Sequence, residues 1–328
     1  TTQKYKAVCK VRSRVRFALT GTPVENRLGE LWSIFSFLMP GYLPPYKSFC
    51  SRFEKPIVQE EDQTAVRRLN QLTGPFILRR MKSDVLKELP PKTENVYRIE
   101  LEEEQRKLYL AAVVDAREKL QAAKPEDKMA VFAVLMRLRE ICCDPRLIAD
   151  NWTGGSAKLD ACIELVTSAV EGGHRILLFS QFTSMLELLA KRLDEAGVSH
   201  FTLQGSTPKP VRAEQVRRFN QGEADVFLIS LRAGGTGLNL TAADIVIHYD
   251  PWWNVAAQNQ ATDRAYRIGQ QNPVQVYKLI AQDTIEEKIV ELQQAKQSLA
   301  DTVTGTADGA ILSMRPDELL QLLEGSEP

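Results

Sequence analysis

The sequence has no long hydrophobic run. Its most apolar stretch, Leu31 to Leu43, is short and contains two serines and a Pro-Gly pair. A membrane span requires about 18 or more consecutive apolar residues, which no segment provides. The amino terminus also lacks the apolar core of a secretion signal. These absences argue against a membrane-spanning or secreted protein, and no membrane partner is expected.

Cysteine and histidine are scarce. The five cysteines are odd in number and lack the spacing of a disulfide framework, which favours reduced thiols in a cytosolic setting. The three histidines, His174, His200 and His248, do not pair with cysteine at the spacing of metal ligands. We therefore expect no metal site. The sequence also contains no Gly-Lys dipeptide, so it has no P-loop and no lysine placed for the β- and γ-phosphates of a nucleotide.

Charge is balanced overall but unevenly distributed. The 42 basic and 42 acidic residues give a net charge of zero, which argues against an indiscriminate nucleic-acid coat. Before Glu25 there are six Lys or Arg residues and no acid, and after Arg315 there are only acids. The basic run fits either a solvated face or a helix facing DNA.

Residues 156 to 299 show alternating strand and helix patterns. The strands are short apolar runs and the helices have one apolar face, such as the one that carries Met185, Leu186, Leu189 and Leu193 and ends before Gly197. This order predicts the α/β class, with a mostly parallel sheet and helices on both faces. The predicted strands are 175–180, 199–203, 226–230, 245–249 and 274–280. Besides the helix before Gly197, the main predicted helices are 208–220, 254–267 and 284–299, with Thr207 as a helix cap.

The first half is predicted to be a mainly helical insert, with helices at 28–38, 64–73, 102–121 and 127–142. Arg16 to Thr20 is predicted to be a strand. Because a compact α/β domain does not open with one strand and no partners, we expect the chain to start part-way through a larger domain. That strand should then lack sheet neighbours. A short acidic helix is expected near 317–323.

Two arginines stand out in the run from Gln260 to Gln270. Arg264 and Arg267 are three residues apart, so on the predicted helix both guanidinium groups project from one face. Such a pair can clamp phosphate oxygens and stabilise charge in phosphoryl transfer. The plainer alternative is a solvated face with Asp263 as ion-pair partner. The position soon after a strand, where ligands of parallel sheets collect, favours phosphate.

Two further loops follow predicted strands. Ser230 to Asn239 contains three glycines, which allow the backbone to approach phosphate, although a tight turn explains them equally well. It is not a dinucleotide fingerprint, since the third glycine would fall on Leu240. Thr20-Gly21-Thr22 places two hydroxyls around a glycine and is a weak signal alone.

Taken in order, these segments resemble the Swi/Snf-type ATPases, double-stranded DNA translocases of helicase superfamily two. The resemblance runs from about Arg16 to Ile289. It departs from the family pattern at Tyr266, where histidine is usual, and at Val255, where proline is common. The matching segments are Leu19-Thr-Gly-Thr-Pro23, Ile77 to Lys82, Leu89 to Lys92, Arg137 to Pro145, Phe179-Ser-Gln-Phe182, Gln204-Gly-Ser-Thr207, 230–240 and 260–270.

The resemblance implies a chemistry for these residues. Two RecA-like lobes close over ATP and Mg²⁺ while both hold double-stranded DNA, and Arg264 and Arg267 act as arginine fingers. Residues expected to couple the ATP and DNA sites are Thr20, Gly21, Thr22, Gly237, Gln260 and Asp263. Residues expected on the DNA are Ser180, Gln181, Gln204, Ser206, Thr207, Arg232, Ala233, Gly234, Gly235, Asn239 and Trp253.

The resemblance also implies a division of the chain. Residues 1–75 would form the end of the first RecA-like lobe and a helical protrusion, and 76–155 a linker and a second helical protrusion. Residues 156–300 would form the second lobe, and 301–328 a tail. The P-loop and metal-binding motifs would precede Thr1, so the chain alone should be inactive and should pair with the first lobe of the same protein.

Other functions remain open from the sequence. The first alternative is a strand-separating or RNA-directed helicase lobe, and the second is a non-catalytic binding module on a RecA-like scaffold. A protein cargo on the DNA is a further expected partner. The expected location is the nucleoid in a prokaryote or the nucleus in a eukaryote.

Overall fold

The computed structural model describes residues 3–20, 28–60, 62–78, 80, 86, 88–124, 127–234, 237–293 and 316–324. The chain divides into two compact units. The first comprises residues 1–81, 254–256 and 292–310, and the second comprises 82–253, 257–291 and 311–328. Within the described ranges, no helix has the length and apolar character that crossing a membrane requires.

The first unit is helical around a small apolar core. Asp62 caps its last long helix by accepting hydrogen bonds from the backbone amides of Thr64 and Ala65 at 2.7 and 3.3 Å. The predicted helices at 28–38 and 64–73 are confirmed. The elements are α1 (Gln3–Cys9), α2 (Leu28–Leu38), α3 (Tyr46–Phe49), a π-helical turn (Cys50–Glu54), α4 (Lys55–Gln59), α5 (Gln63–Thr73) and a 3₁₀ turn (Gly74–Phe76), and the core residues are Leu28, Leu31, Phe35, Leu43, Phe49, Phe53 and Leu69.

The segment from Arg16 to Thr20 is irregular, so the strand predicted there is wrong. A strand needs a hydrogen-bonded neighbour, and no strand in the described part of the chain lies before Lys92. Arg16 instead donates to the Phe37 carbonyl at 2.6 Å, while Leu19 is fully exposed.

The second unit is built on a six-stranded sheet in which every pairing is parallel. The spatial order is β1-β6-β5-β2-β4-β3. The α/β class is confirmed, as are all five predicted strands to within a residue or two. The strands are β1 (Lys92–Ile99), β2 (Ile176–Ser180), β3 (His200–Leu203), β4 (Val226–Ser230), β5 (Ile245–His248) and β6 (Val274–Ala281).

Both faces of this sheet are covered by apolar side chains. Successive residues of a strand point to opposite faces, and in β2 Ile176 and Leu178 belong to one buried cluster whereas Leu177 and Phe179 belong to the other. The continuous apolar runs of the sequence reflect this two-sided burial. The helices of this unit are α6 (Glu103–Ala122), α7 (Lys128–Cys143), α8 (Ala157–Glu171), α9 (Thr183–Glu195), α10 (Lys209–Asn220), α11 (Leu231–Gly234), α12 (Val255–Thr262), α13 (285–293) and α14 (Pro316–Glu324).

Strand β1 was not predicted from the sequence. It is an edge strand whose residues are exposed except Ile99, so its sequence has no apolar alternation to reveal it. Glu94 links it to β6 by accepting from Lys278 at 2.8 Å, and it also accepts from Lys92 at 2.6 Å. Burial alone would raise the pKa of Glu94, but these two lysines lower it to about 2.

The predicted helix at 254–267 is too long, because α12 ends at Thr262. The amides of Arg264 and Ala265 donate to the carbonyls three residues before them, as in a 3₁₀ turn, instead of four residues before them as in an α-helix. The carbonyl of Arg264 accepts instead from the amide of Leu240 at 3.0 Å. This bond to a distant loop ends the helix. Arg264 and Arg267 therefore lie on turns and not on a helical face.

Two fully buried ion pairs lie in the second unit. Lys158 of α8 pairs with Glu286 of α13, and Arg139 of α7 pairs with Asp250 after β5. Burial lowers the pKa of Lys158, but Glu286 and the neighbouring Cys142 and Cys143 together raise it above its ordinary value. Glu286 also accepts from the Ala281 amide at 2.9 Å, so the pair joins α8 to the turn after β6.

We expect Lys158→Met to lower the free energy of unfolding by about 3–5 kcal/mol, because it leaves Glu286 buried without its partner. The double variant Lys158→Met with Glu286→Met should lose less than the single one. Chemical denaturation measures both. Lys107→Met, which removes the exposed pair with Glu103, is the control and should have no measurable effect. A Lys158→Met protein as stable as this control would contradict the prediction.

Candidate functional site

The carboxyl ends of the parallel strands bring several predicted residues to one edge of the sheet. Gln181 follows β2, Gln204 follows β3 and α11 follows β4 directly, and Asp250 lies two residues after the end of β5. Because all the strands point the same way, these segments meet at a common edge, which we call the carboxyl edge.

Asp250 organises the centre of this edge. Its carboxylate is fully buried and accepts from the Ser180 hydroxyl at 2.6 Å, the Gln181 amide at 3.2 Å and the Arg139 guanidinium at 3.2 Å. Burial raises the pKa of Asp250, and Arg139 and Ser180 oppose that rise. The Ser180 hydroxyl, predicted to contact DNA, is therefore buried and engaged within the protein.

Trp253 is also buried at this edge. The guanidinium carbon of Arg139 lies 4.2 Å from the centroid of the Trp253 ring and 5.6 Å from that of Phe182. Trp253 thus packs on a cation inside the protein, and 6% of its surface is exposed. Within the described residues, the Nε2 atom of Gln181 is buried without a hydrogen-bond partner.

The turn after β3 contains three predicted residues, of which Ser206 is exposed and Gln204 and Thr207 are half-buried. The Thr207 hydroxyl oxygen accepts from the Gln204 amide at 3.0 Å, which closes the turn. Gly205 and Ser206 are exposed at its tip. The prediction that Thr207 caps the next helix is wrong, because Pro208 occupies the cap and Thr207 is committed to the turn. An exposed hydroxyl and glycine amide suit a phosphate contact.

A long segment, which we call the crossing loop (231–243), runs from the end of β4 to just before the start of β5. It therefore passes from the carboxyl edge to the opposite edge of the sheet. Arg232, Ala233 and Gly234 lie in α11 at its start, and Ala233 is buried. Gly237 has a φ of +50°, and both it and Asn239 are exposed.

The end of the crossing loop is bound to the turns that carry the arginines, which we call the arginine turn (263–270). Leu240 donates its amide to the Arg264 carbonyl at 3.0 Å, and Arg267 donates from a terminal nitrogen to the Leu238 carbonyl at 2.9 Å. The sequence predicted functions for both segments but not their contact. The structure brings them together.

Arg264 is the most buried cation of this turn, with 8% of its surface exposed. Its Nε atom has no hydrogen-bond partner among the described residues. Burial and the neighbouring charge of Arg267 lower the pKa of Arg264, although arginine remains charged. A buried guanidinium with an unused donor beside a second cation is suited to bind an anion such as phosphate.

His248 supports the arginine turn from β5. Its Nε2 atom and the Thr262 hydroxyl are 2.9 Å apart, at the end of α12, and its ring stacks on Phe179. Full burial, with a smaller contribution from the charge of Lys278, lowers the pKa of His248 to about 3, so the ring is neutral. The two half-buried residues that precede the arginines, Gln260 and Asp263, flank this contact.

Four further residues were predicted from the sequence. Thr20 lies exposed in the first unit. Gly21, Thr22 and Gly235 lie outside the described residues. Across the described ranges, no cluster of three His, Cys, Asp or Glu side chains is arranged to hold a metal ion.

Comparisons with known proteins agree on one family. A model of the SNF2-related domain matches residues 1–147, and one of the helicase conserved C-terminal domain matches residues 157–269. A solved structure of a Sulfolobus solfataricus SWI2/SNF2 ATPase core in complex with double-stranded DNA is 34% identical, with a TM-score of 0.60. The match covers 97% of this chain and 68% of that one. The chain belongs to the SWI2/SNF2 ATPase family.

Curated members of this family come from distant organisms. An uncharacterized ATP-dependent helicase of Mycoplasma pneumoniae is 40% identical over 97% of this chain. A mouse SWI/SNF-related regulator of chromatin (subfamily A member 1) is 36% identical over 96% of it. The chain spans about a third of these proteins, 31% and 32% of their lengths.

Three residues of this SWI2/SNF2 site were not singled out from the sequence as site residues. Asp250 directly follows the predicted strand 245–249, and this position could have indicated a residue at the carboxyl edge. Arg139 and His248 gave no such signal, because their partners are 111 and 14 residues away along the chain. Their roles are visible only in the folded chain.

We expect His248 to make the protein sensitive to acid. The pKa of His248 is about 3 in the folded protein and near 6.5 in the unfolded chain. Its contribution to the free energy of unfolding is therefore complete above pH 6.5 and is lost as the pH falls towards 3. Through His248, wild type should lose about 2–3 kcal/mol of its free energy of unfolding when the pH falls from 6.5 to 4.5. The His248→Gln variant should lack this part of the loss. Denaturation at the two pH values measures it.

Thr262→Val is the matched control, since it removes the hydrogen bond but keeps the buried ring. This variant should retain the acid-linked loss of stability. Equal pH dependence in wild type and His248→Gln would show that His248 does not cause it.

Proposed function

We propose that the chain is the C-terminal lobe of an ATP-dependent translocase or remodelling ATPase that moves on double-stranded DNA, with Arg264 and Arg267 as its arginine fingers. The observation that carries this proposal is the buried Arg264 side chain, with its unused Nε donor, beside Arg267 in a turn hydrogen-bonded to the crossing loop.

The two arginines would act on charge that develops during phosphoryl transfer. A fixed guanidinium donates to the phosphate oxygens and stabilises the transition state more than the ground state. The chain contains no Gly-Lys dipeptide, so ATP and Mg²⁺ would be held mainly by another RecA-like lobe of the same protein. Closure of the two lobes would bring the arginines to the nucleotide, and the chain alone would be inactive.

The turn after β3 and the exposed residues of the crossing loop would hold the DNA backbone. Gly205 and Ser206 are exposed after β3, and Gly237 and Asn239 are exposed on the crossing loop, so amides and a hydroxyl are available to phosphates without reading sequence. The double-stranded DNA in the Sulfolobus solfataricus complex supports a duplex as the track. Thr20 to Thr22 would help to couple the two sites.

The proposal includes the four-part division at residues 75, 155 and 300, a protein cargo on the DNA, and location in a nucleoid or nucleus. The family members from bacteria and from mouse chromatin support such a location.

The test measures ATP hydrolysis by the full-length protein with duplex DNA, single-stranded DNA, RNA or no nucleic acid. Duplex DNA should stimulate hydrolysis most. Arg267→Ala should then lower kcat by about a thousandfold, because an arginine finger contributes on that order, while duplex affinity without nucleotide is retained. Arg264→Ala should behave in the same way.

Arg192→Ala is the control, because Arg192 forms a surface ion pair with Asp160 on α8 and should leave kcat unchanged. Stimulation by single strands or RNA alone would favour the helicase alternative. Full activity in both Arg264→Ala and Arg267→Ala would leave a non-catalytic binding module as the better description.

A further inference from the structure

Gln270 is buried at the end of the arginine turn, with 6% of its surface exposed. Its Nε2 donates to the carbonyls of Ala243 at 2.7 Å and Ala265 at 3.2 Å. Its Oε1 accepts from the amides of Gln271 and Asn272, each at 2.9 Å. A carboxamide has two donor hydrogens and two acceptor lone pairs, so every hydrogen-bonding position of this side chain is used.

These contacts join three segments that carry different parts of the proposed site. Ala265 lies between the two arginines, Ala243 ends the crossing loop, and Gln271 and Asn272 lead into β6 at Val274. The backbone of the arginine turn is irregular, so the regular hydrogen bonds of an α-helix do not hold Ala265 in place. The Gln270 side chain therefore helps to hold the turn beside the sheet, together with the bonds from Leu240 to Arg264 and from Arg267 to Leu238.

We propose that Gln270 is a positioning residue for phosphoryl transfer, which holds the arginine turn so that Arg264 and Arg267 reach the phosphates of ATP together. This inference rests on the proposed function, since it assigns Gln270 to the same reaction. Gln270 touches neither substrate nor DNA in this assignment, and it acts through the backbone at Ala265.

The chemistry of the contacts explains why glutamine is needed. Glutamate has the same shape and still accepts from the two amides, but it presents oxygen to the carbonyls of Ala243 and Ala265 and loses both donors. Methionine keeps the length and removes all four bonds. Each change leaves buried polar backbone groups without their partner, which loosens the turn.

The test uses Gln270→Glu and Gln270→Met, with exposed Gln121→Met on α6 as control. In the full-length protein, kcat for duplex-stimulated ATP hydrolysis should fall on the order of tenfold to a hundredfold in both Gln270 variants. The dissociation constant for duplex DNA without nucleotide should not change. Gln121→Met should match wild type in both measurements.

Hydrogen exchange on the chain itself tests the structural half of the inference. The amide of Leu240, which donates to the Arg264 carbonyl, should exchange faster in Gln270→Glu than in wild type, while amides of β2 and β4 keep their protection. If the Gln270→Met protein loses protection across the whole sheet, it has unfolded, and the milder Gln270→Glu change decides the question.

The possible outcomes separate the two proposals. Unchanged kcat in Gln270→Glu, or a parallel loss of kcat and duplex affinity, would overturn the positioning role while leaving the arginine fingers intact. If Arg264→Ala and Arg267→Ala retain full ATP hydrolysis, the proposed function fails instead. Unchanged exchange at Leu240 would show that Gln270 does not hold the turn, whatever the kinetics.

Discussion

The buried carboxylate of Asp250 is the group on which the carboxyl edge of the sheet depends. An isolated carboxylate in the interior costs several kcal/mol, so it must be surrounded by donors. Asp250 has a hydroxyl from β2, an amide from the turn after β2 and a guanidinium from α7. Because none of these donors can move away without leaving the charge exposed to an apolar interior, their relative positions are fixed.

This constraint makes α7 and α8, which lie between β1 and β2 in the chain, part of the same folded body as the sheet. Arg139 is bound to Asp250 and packs on Trp253, and the second buried pair, Lys158 with Glu286, joins α8 to α13. The family model of the SNF2-related domain extends to residue 147 and so includes α7, whereas the compact unit that contains the sheet begins at residue 82. The boundary between sequence families therefore differs from the boundary between folded units.

The sequence predicted those features that depend on local pattern. Strands β2, β4 and β5 were found because burial on both faces makes their sequences almost continuously apolar, and β1 was missed because it lies polar and exposed at the edge. For α12, local spacing predicted a helix through Arg267, but a bond from Leu240 ends it at Thr262. Ser180 and Trp253 were predicted to face DNA, and partners far along the chain keep both side chains inside.

The link between the two proposed sites follows from topology. In an all-parallel sheet, the connection from the end of one strand to the start of the next must cross to the opposite edge. The loop between β4 and β5 therefore begins beside the proposed DNA contacts and ends against the arginine turn. Arg267 holds the Leu238 carbonyl of this loop at 2.9 Å. Any movement of Arg267 towards a phosphate must stretch that bond or carry the loop with it, and the same loop carries Gly237 and Asn239, which are proposed to contact DNA. The crossing loop itself can then couple the proposed ATP site to the proposed DNA contacts, without a further structural element.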